Sequence, residues 1–257
     1  MRRRHQYIGP MSGSHPLYQL MQRLPGTCQV CGRWPSLPVC PACETRHAPP
    51  DPRCPNCARR LPPGSTHCGA CLSQRQSAGA HARSLQTLVA AVDYAYPWDG
   101  LIARFKFRGE PGWAGPLAAL MLRQPGVGEL LSACDVVVPV PVTAARLAER
   151  GYNQAWELIK ALSRQAADTR ALALSDALVR IGNAPDQHPL PREQRLRNLQ
   201  GSFVAHPHHV ARLQKTHVLL VDDVSTTGTT LNSAAQALLK AGTGRVSALV
   251  LARTSSH

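Results

Sequence analysis

The stretch Thr216 to Thr230, THVLLVDDVSTTGTT, constrains this chain more than any other. Val218 to Val221 is an apolar run short enough for a strand, and its composition fits a strand buried on both faces. Asp222 and Asp223 stand where that strand is expected to end. Ser225, Thr226, Thr227, Gly228, Thr229 and Thr230 follow as a loop of hydroxyls and glycine, and Leu231 to Ala241 reads as an Ala/Leu-rich helix. Strand, loop and helix start together make an anion cradle: backbone N–H groups and the helix dipole attract the anion, and hydroxyls add hydrogen bonds. Two carboxylates beside such a cradle repel a bare phosphate. They make sense if they grip neutral hydroxyls, or a cation, next to the phosphate, and a sugar phosphate meets that description. The competing reading is a buried strand, a capped turn and an ordinary helix. No Lys follows Gly228, so the nucleotide-binding P-loop pattern is excluded.

The rest of the carboxyl-terminal part supports a layered α/β reading. Strands are expected over Leu88 to Tyr96, Asp135 to Pro141, Ala177 to Ile181, Ser202 to Ala205 and Arg245 to Ala252. Helices are expected over Asp99 to Phe107, Trp113 to Arg123, Thr143 to Arg150, Gln154 to Ala167 and, very basic and short, Arg192 to Gln200. Alternation of this kind predicts a parallel, Rossmann-like sheet flanked by helices. Ligands on such sheets bind beyond the carboxyl ends of the strands, where Asp222 to Thr230 should lie. At 44% hydrophobic but only 5% aromatic, the core should be built mainly from Ala, Leu and Val.

Upstream, eight of the nine cysteines fall into four CxxC pairs: Cys28/Cys31, Cys40/Cys43, Cys54/Cys57 and Cys68/Cys71. TCQVCGR is echoed by RCPNCAR, and VCPAC by HCGAC, so the segment is an internal repeat. A CxxC turn aims two thiolates at one point, and two such turns close a tetrahedral S₄ site for structural Zn²⁺. Repetition of each half as a unit favours two tandem ribbons over a cross-braced pairing. A segment so short and rich in proline builds no core of its own and is expected to fold around its metal. Cys134 reads as a buried small residue, and the histidines as surface. Leu17, Leu20, Met21 and Leu24 recur at helical spacing near the start of the chain. MRRRH is basic but no apolar stretch follows it, so no secretory signal is expected. No run approaches the length of a membrane span. Metal is therefore favoured over disulfides, and a cytoplasmic protein is expected.

The formal charge is +14. Two Zn(Cys)₄ units, at about −2 each, would leave roughly +10. That balance suits either a polyanionic partner or a basic solvated surface.

VLLVDDVSTTGTT resembles the phosphoribosyl pyrophosphate (PRPP) motif of type I phosphoribosyltransferases. Over nearly the whole chain, Leu17 to Arg253, the order of features is similar to the ComF family, in which a cysteine-rich zinc finger precedes a phosphoribosyltransferase-type domain. Its matching pieces are Phe105-Lys106-Phe107-Arg108-Gly109-Glu110, Pro139-Val140-Pro141, Arg146 with Glu149-Arg150-Gly151-Tyr152-Asn153-Gln154, and Gln187, Leu190, Arg195, Asn198 and Phe203. One departure stands out: Gly182-Asn183-Ala184 replaces the family's usual Arg-x-Thr, so a basic group and a hydroxyl are missing there. Composition and the cysteine repeat divide the chain into a basic segment at 1–26, a double zinc ribbon at 27–72 and a small, polar linker at 73–84, and the resemblance implies a phosphoribosyltransferase-like domain at 85–257. It implies that Asp222 and Asp223 hold the ribose hydroxyls, that Thr226 to Thr230 wrap the 5′-phosphate, and that Mg²⁺ accompanies PRPP.

Arg146 and Arg150, just past a strand end, are placed to neutralise pyrophosphate, with a solvated helix face as the alternative. Lys106, Arg108, Arg192, Arg195 and Arg197 form a candidate track for single-stranded DNA. With few aromatics, binding there would be chiefly electrostatic. Three functional classes follow: an active transferase moving ribose 5-phosphate from PRPP to a nucleophile, a PRPP-binding module that also holds single-stranded DNA, and a zinc-ribbon protein docking a helicase or translocase of DNA uptake. The resemblance favours the second and third in combination.

Overall fold

The computed structural model describes residues 26–77, 84–166, 169–181 and 202–254. The chain divides into two compact units between Thr45 and Arg46. In the first, an antiparallel bridge joins Gly26 to Ser36, and helix α1 (Pro41–His47) begins at its end. Its small core is Cys28, Cys40 and Cys43, with Val30 and Val39 packed against them.

The second unit, from Arg46 on, includes the turn at Cys54 and helix α2 (Gly69–Ser77). It continues through β1 (Leu88–Asp93), α3 (Trp98–Phe107), α4 (Ala114–Leu122), α5 (Val127–Ala133), β2 (Val136–Pro139), α6 (Ala144–Arg150), α7 (Gln154–Gln165), β3 (Leu172–Ala173), β4 (Leu178–Arg180), β5 (Phe203–Ala205), α8 (Val210–Leu213), β6 (His217–Ser225), α9 (Thr229–Lys240) and β7 (Arg245–Arg253). Five strands form a parallel sheet in the order β1-β7-β6-β2-β3. β6 lies at its centre, in register with Val136 of β2 and Val246 of β7 at Val218.

Continuous burial from His217 to Val221 is what helices on both faces impose on a central strand. On one face Val218 and Leu220 join Val136, Val138, Val246 and Ala248 under Leu231, Ala234 and Leu238 of α9. The opposite face is covered by α7, which packs on β2 and β6 and buries Leu158 and Leu162. Fully burying one such Leu contributes about 1.5–3 kcal/mol, and truncating it to Ala in a core costs about 2–5 kcal/mol.

Helix α7 starts where it does because Asn153 caps it: its side chain accepts from Ala155 N at 2.9 Å and donates to Val140 O at 3.1 Å. Helix α6 is capped by Thr143, which accepts from Arg146 N, and ends at Gly151 with φ 78°. The turn Arg150-Gly151-Tyr152-Asn153 is thus pinned at both ends.

Several elements differ from the sequence expectation. The run at Ala177 to Ile181 supplies β4 of a separate antiparallel pair with β5, not a strand of the sheet, and the outer sheet position goes to Leu172–Ala173. The pair packs over α9, where Leu178 and Phe203 join its core, so a short apolar run found a different surface to bury. β6 does not end at the acid pair but continues to Ser225, because β7 offers partners as far as Arg253. Helix α9 begins at Thr229, two residues early, and α5 was not anticipated. His217 is buried rather than surface: its ring is satisfied by Ala133 O and Ser247 Oγ, both at 2.9 Å. Cys134 is buried, as expected. Helix α2 runs into the stretch expected as a linker. The expected helices at Leu17 to Leu24 and Arg192 to Gln200 lie outside the described residues. Among the described residues no helix is long and apolar enough to cross a membrane.

Candidate functional site

Two cysteine clusters form, Cys28/Cys31/Cys40/Cys43 and Cys54/Cys57/Cys68/Cys71, with the Sγ atoms of each within 4.8 Å of one another. This is the tandem pairing, not the cross-braced one. Sγ separations of 3.9 Å (Cys28–Cys43), 3.7 Å (Cys31–Cys40) and 3.5 Å (Cys57–Cys68) suit the edges of a tetrahedron with bonds of about 2.3 Å to Zn²⁺. Backbone N–H groups reach two of the sulfurs: Cys40 N donates to Cys28 Sγ and Cys43 N to Cys40 Sγ, each at 3.4 Å. Burial pushes the Cys28 thiol up, but N–H groups of Cys31, Cys40 and Val30 bring it down to about 6. Four sulfurs and no open position make each cluster a structural site that could hold zinc.

The acid pair sits where the sheet opens. β2 ends at Pro139 while β6 continues, so Asp222 and Asp223 lie past the carboxyl end of their neighbour on one side. Strand alternation sends the two carboxyls to opposite faces. Asp223, 7% exposed, meets the end of α3, with Lys106 Nζ 2.9 Å from its Oδ1. Asp222 is half-buried on the α9 side, and its Oδ1 accepts from Asp223 N at 2.9 Å. Burial, reinforced by the Asp223 charge, pushes the Asp222 carboxyl up to about 7, and Lys106 and Arg180 only partly offset this. Such an acid waits for a cation or for hydroxyl donors.

After Ser225 the chain turns through Thr226, Thr227 and Gly228, the last at φ 80°, where a side chain would be strained. Thr227 and Thr229 hydroxyls share a hydrogen bond at 2.7 Å, and Asn232 N donates to Gly228 O at 2.9 Å to open α9. Thr226 and Thr227 are exposed, and Gly228, Thr229 and Thr230 half-buried. Four threonine hydroxyls and the N-terminus of a 12-residue helix therefore follow directly on the acids.

The basic candidates separate. Arg146 projects from the exposed face of α6. Arg150, the last residue of that helix, donates to Gln154 Oε1 at 3.1 Å and stacks over Phe107, 4.9 Å from the ring centre, while its Nε is buried without a partner. Tyr152 OH donates to Phe105 O, tying this turn to the end of α3. Lys106, grouped from sequence with the DNA track, is instead Asp223's ion-pair partner; Arg108 is exposed beside it. Arg192, Arg195 and Arg197 lie outside the described residues. Two functional candidates were missed. Arg180 of β4, over the Phe203 ring at 5.7 Å, is near enough to draw Asp222's carboxyl down. Arg253 ends the nine-residue β7, and an arginine directly after the run Val246 to Ala252 was the available signal.

The family profile of the phosphoribosyl transferase domain matches residues 135–257. The DNA utilization protein YhgH of Escherichia coli strain K12 is 35% identical over 176 residues, covering 66% of this chain and 73% of that protein. Competence protein F of Haemophilus influenzae is 32% identical over 175 residues, covering 66% and 74%. Glutamine phosphoribosylpyrophosphate amidotransferase from B. subtilis overlaps 58% of this chain and 30% of its own, with 16% identity and a TM-score of 0.33. With a phosphoribosyltransferase domain behind cysteines paired as in a double zinc ribbon, and with relatives of this identity and coverage, the chain belongs to the ComF family.

Proposed function

We propose that the protein binds PRPP, or a related phosphoribosyl ligand, together with Mg²⁺, and handles single-stranded DNA in DNA uptake or utilisation. The observation that carries the first part is the acid pair at the open carboxyl end of β6, followed directly by the Thr226–Thr230 turn and the start of α9. Asp222 and Asp223 would take the ribose hydroxyls, Ser225 to Thr230 the 5′-phosphate, and Arg146 and Arg150 the pyrophosphate. Carboxylate oxygens are the donors Mg²⁺ prefers, and phosphates of the ligand would complete its shell. Mg²⁺, when bound, would neutralise pyrophosphate charge.

The DNA part rests on the names of the E. coli and H. influenzae relatives and on a formal charge of +14. Arg108, Arg192, Arg195 and Arg197 would carry it. The first compact unit exposes Trp34 and Leu37, a surface we assign to a helicase or translocase partner. Thiolate clusters suit a reducing compartment, so we place the protein in the cytoplasm.

Calorimetry with PRPP and Mg²⁺ tests the ligand. Binding should vanish in the Asp222→Ala/Asp223→Ala double variant, and unchanged affinity there would remove the pair from the site. A screen for pyrophosphate release with nucleobases and amines separates binding from transfer: release would make the protein a phosphoribosyltransferase.

A further inference from the structure

We propose that Arg253 is a positioning residue that makes the phosphate loop depend on the metal state of the second cysteine cluster. The inference rests on reading 225–230 as that loop. Arg253 is 4% exposed at the end of β7. Its Nε donates to Cys57 O at 2.9 Å, and its Nη1 donates to Ser225 O at 3.2 Å and Thr254 O at 2.7 Å. One planar guanidinium therefore bridges the carbonyl of a metal-ligand residue and the carbonyl of the residue where β6 gives way to the loop.

Both ends of this strut are themselves held. Cys54 O accepts from Cys57 N and Ala58 N, and Cys54 N donates to Arg59 O, which closes the turn. Ala58 occupies φ 56°, a left-handed conformation costly for a residue with a Cβ. A metal bound by Cys54 and Cys57 would hold that turn shut and so fix where the Cys57 carbonyl points. At the other end Thr254 N also donates to Ser225 O, at 3.0 Å, while the Ser225 hydroxyl is buried without a partner. Beyond its pairing with Arg253 in the sheet, Ser225 is thus held through its carbonyl and not through its side chain.

Charge gives a second argument. Among the described residues Arg253 hydrogen-bonds only carbonyls and the Thr254 hydroxyl, with no carboxylate. A buried guanidinium needs a counter-charge. Cys57, Cys68 and Cys71 are within electrostatic reach, and a Zn(Cys)₄ unit of about −2 would supply it. Loss of that metal would leave Arg253 with loosened acceptors and no counter-charge, and Ser225 would lose one of its anchors.

The test uses the full chain and hydrogen exchange. Arg253→Lys keeps the charge but cannot reach two carbonyls with one fork. With two zinc ions retained, the amides of 226–230 should exchange about tenfold faster than in the parent, and PRPP should bind about tenfold more weakly. In a Cys28→Ser/Cys31→Ser chain, loaded only at the second cluster, chelation should speed exchange at 226–230 while α7 keeps its protection. Unchanged exchange at 226–230 in zinc-loaded Arg253→Lys would overturn the proposal. If that variant does not fold, the chelation arm decides: unchanged loop exchange, or equal loss of protection in α7, overturns it. Absence of PRPP binding by the parent protein would sink the phosphoribosyl reading and leave the exchange result to judge the strut.

Discussion

Lys106 Nζ stands 2.9 Å from Asp223 Oδ1, so the end of α3 already supplies a cation to the acid pair of β6. The two side chains retain only 18% and 9% exposure, which makes this a largely desolvated pair. Two neighbouring carboxylates without a cation would sit poorly within a largely buried strand. With the lysine, the pair can persist until a ligand's hydroxyls or a metal ion share the charge.

Lys106→Ala should accordingly destabilise the ligand-free protein by about 2–4 kcal/mol, because it strands a buried carboxylate. For a chain of this size that is a fall of roughly 5–10 °C in Tm. Mg²⁺ should then raise Tm more in the variant than in the parent, since the metal replaces the missing charge. Thermal unfolding with and without Mg²⁺ checks this. Unaltered stability with weakened oligonucleotide binding would instead return Lys106 to the DNA surface.

Asp222 gives a pH dependence with a definite sign. Its folded-state value, about 7, lies above the ordinary carboxyl range. Between that range and about 7 the native chain binds the extra proton, so this group's contribution to stability is present at acid pH and is lost as pH rises. Asp222→Asn should be more stable than the parent at pH 8, on the order of 2 kcal/mol, and about equally stable at pH 4. Denaturant melts at the two pH values measure it. PRPP and Mg²⁺ affinity should rise through pH 7 in the parent and be lost in the variant.

What could be read in advance was local. The acid pair, the hydroxyl turn and the CxxC spacings are each contiguous, and their chemistry follows from neighbours in sequence. Paired cysteines at repeated spacing also specified which four would meet. The contacts that complete the site are not local. Arg253 reaches Cys57 across 196 residues, and nothing at either position marks the other. Lys106 was visible as a cation, but only the packing of α3 shows that it faces Asp223. Leu172–Ala173 is too short to carry a period-two pattern, so the outer strand went to the longer run at Ala177 to Ile181. His217 was misplaced because a histidine's burial depends on acceptors that only the fold supplies, here Ala133 O and Ser247 Oγ.

For nucleic acid, the Arg192→Ala/Arg195→Ala/Arg197→Ala variant should bind a single-stranded oligonucleotide more weakly at low salt. Each lost phosphate contact should flatten the plot of log K against log salt by about 0.7, so about 2 for all three. Fluorescence anisotropy over a salt series reads the slope, and PRPP binding should survive. Loss of both ligands from a folded variant would assign these arginines to one shared site.

The two cysteine clusters should differ in what their loss does. The first has a core of its own, Cys28, Cys40 and Cys43 with two valines. The second is built into the sheet: Ala58 is fully buried among Leu85, Leu88 and Ala90, Leu88 N donates to Pro55 O at 2.8 Å, and Arg53 and Arg60 both pair with Asp93 at the end of β1. Cys40→Ser should therefore release one zinc and leave the main thermal transition within about 2 °C of the parent. Cys68→Ser should release the other and remove about 2–3 kcal/mol from the main transition, a fall of roughly 5–10 °C. Zinc content by elemental analysis, paired with calorimetric melts, measures both. Equal shifts in the two variants would mean that the clusters support the sheet alike, and no shift in either would make the metal dispensable to it.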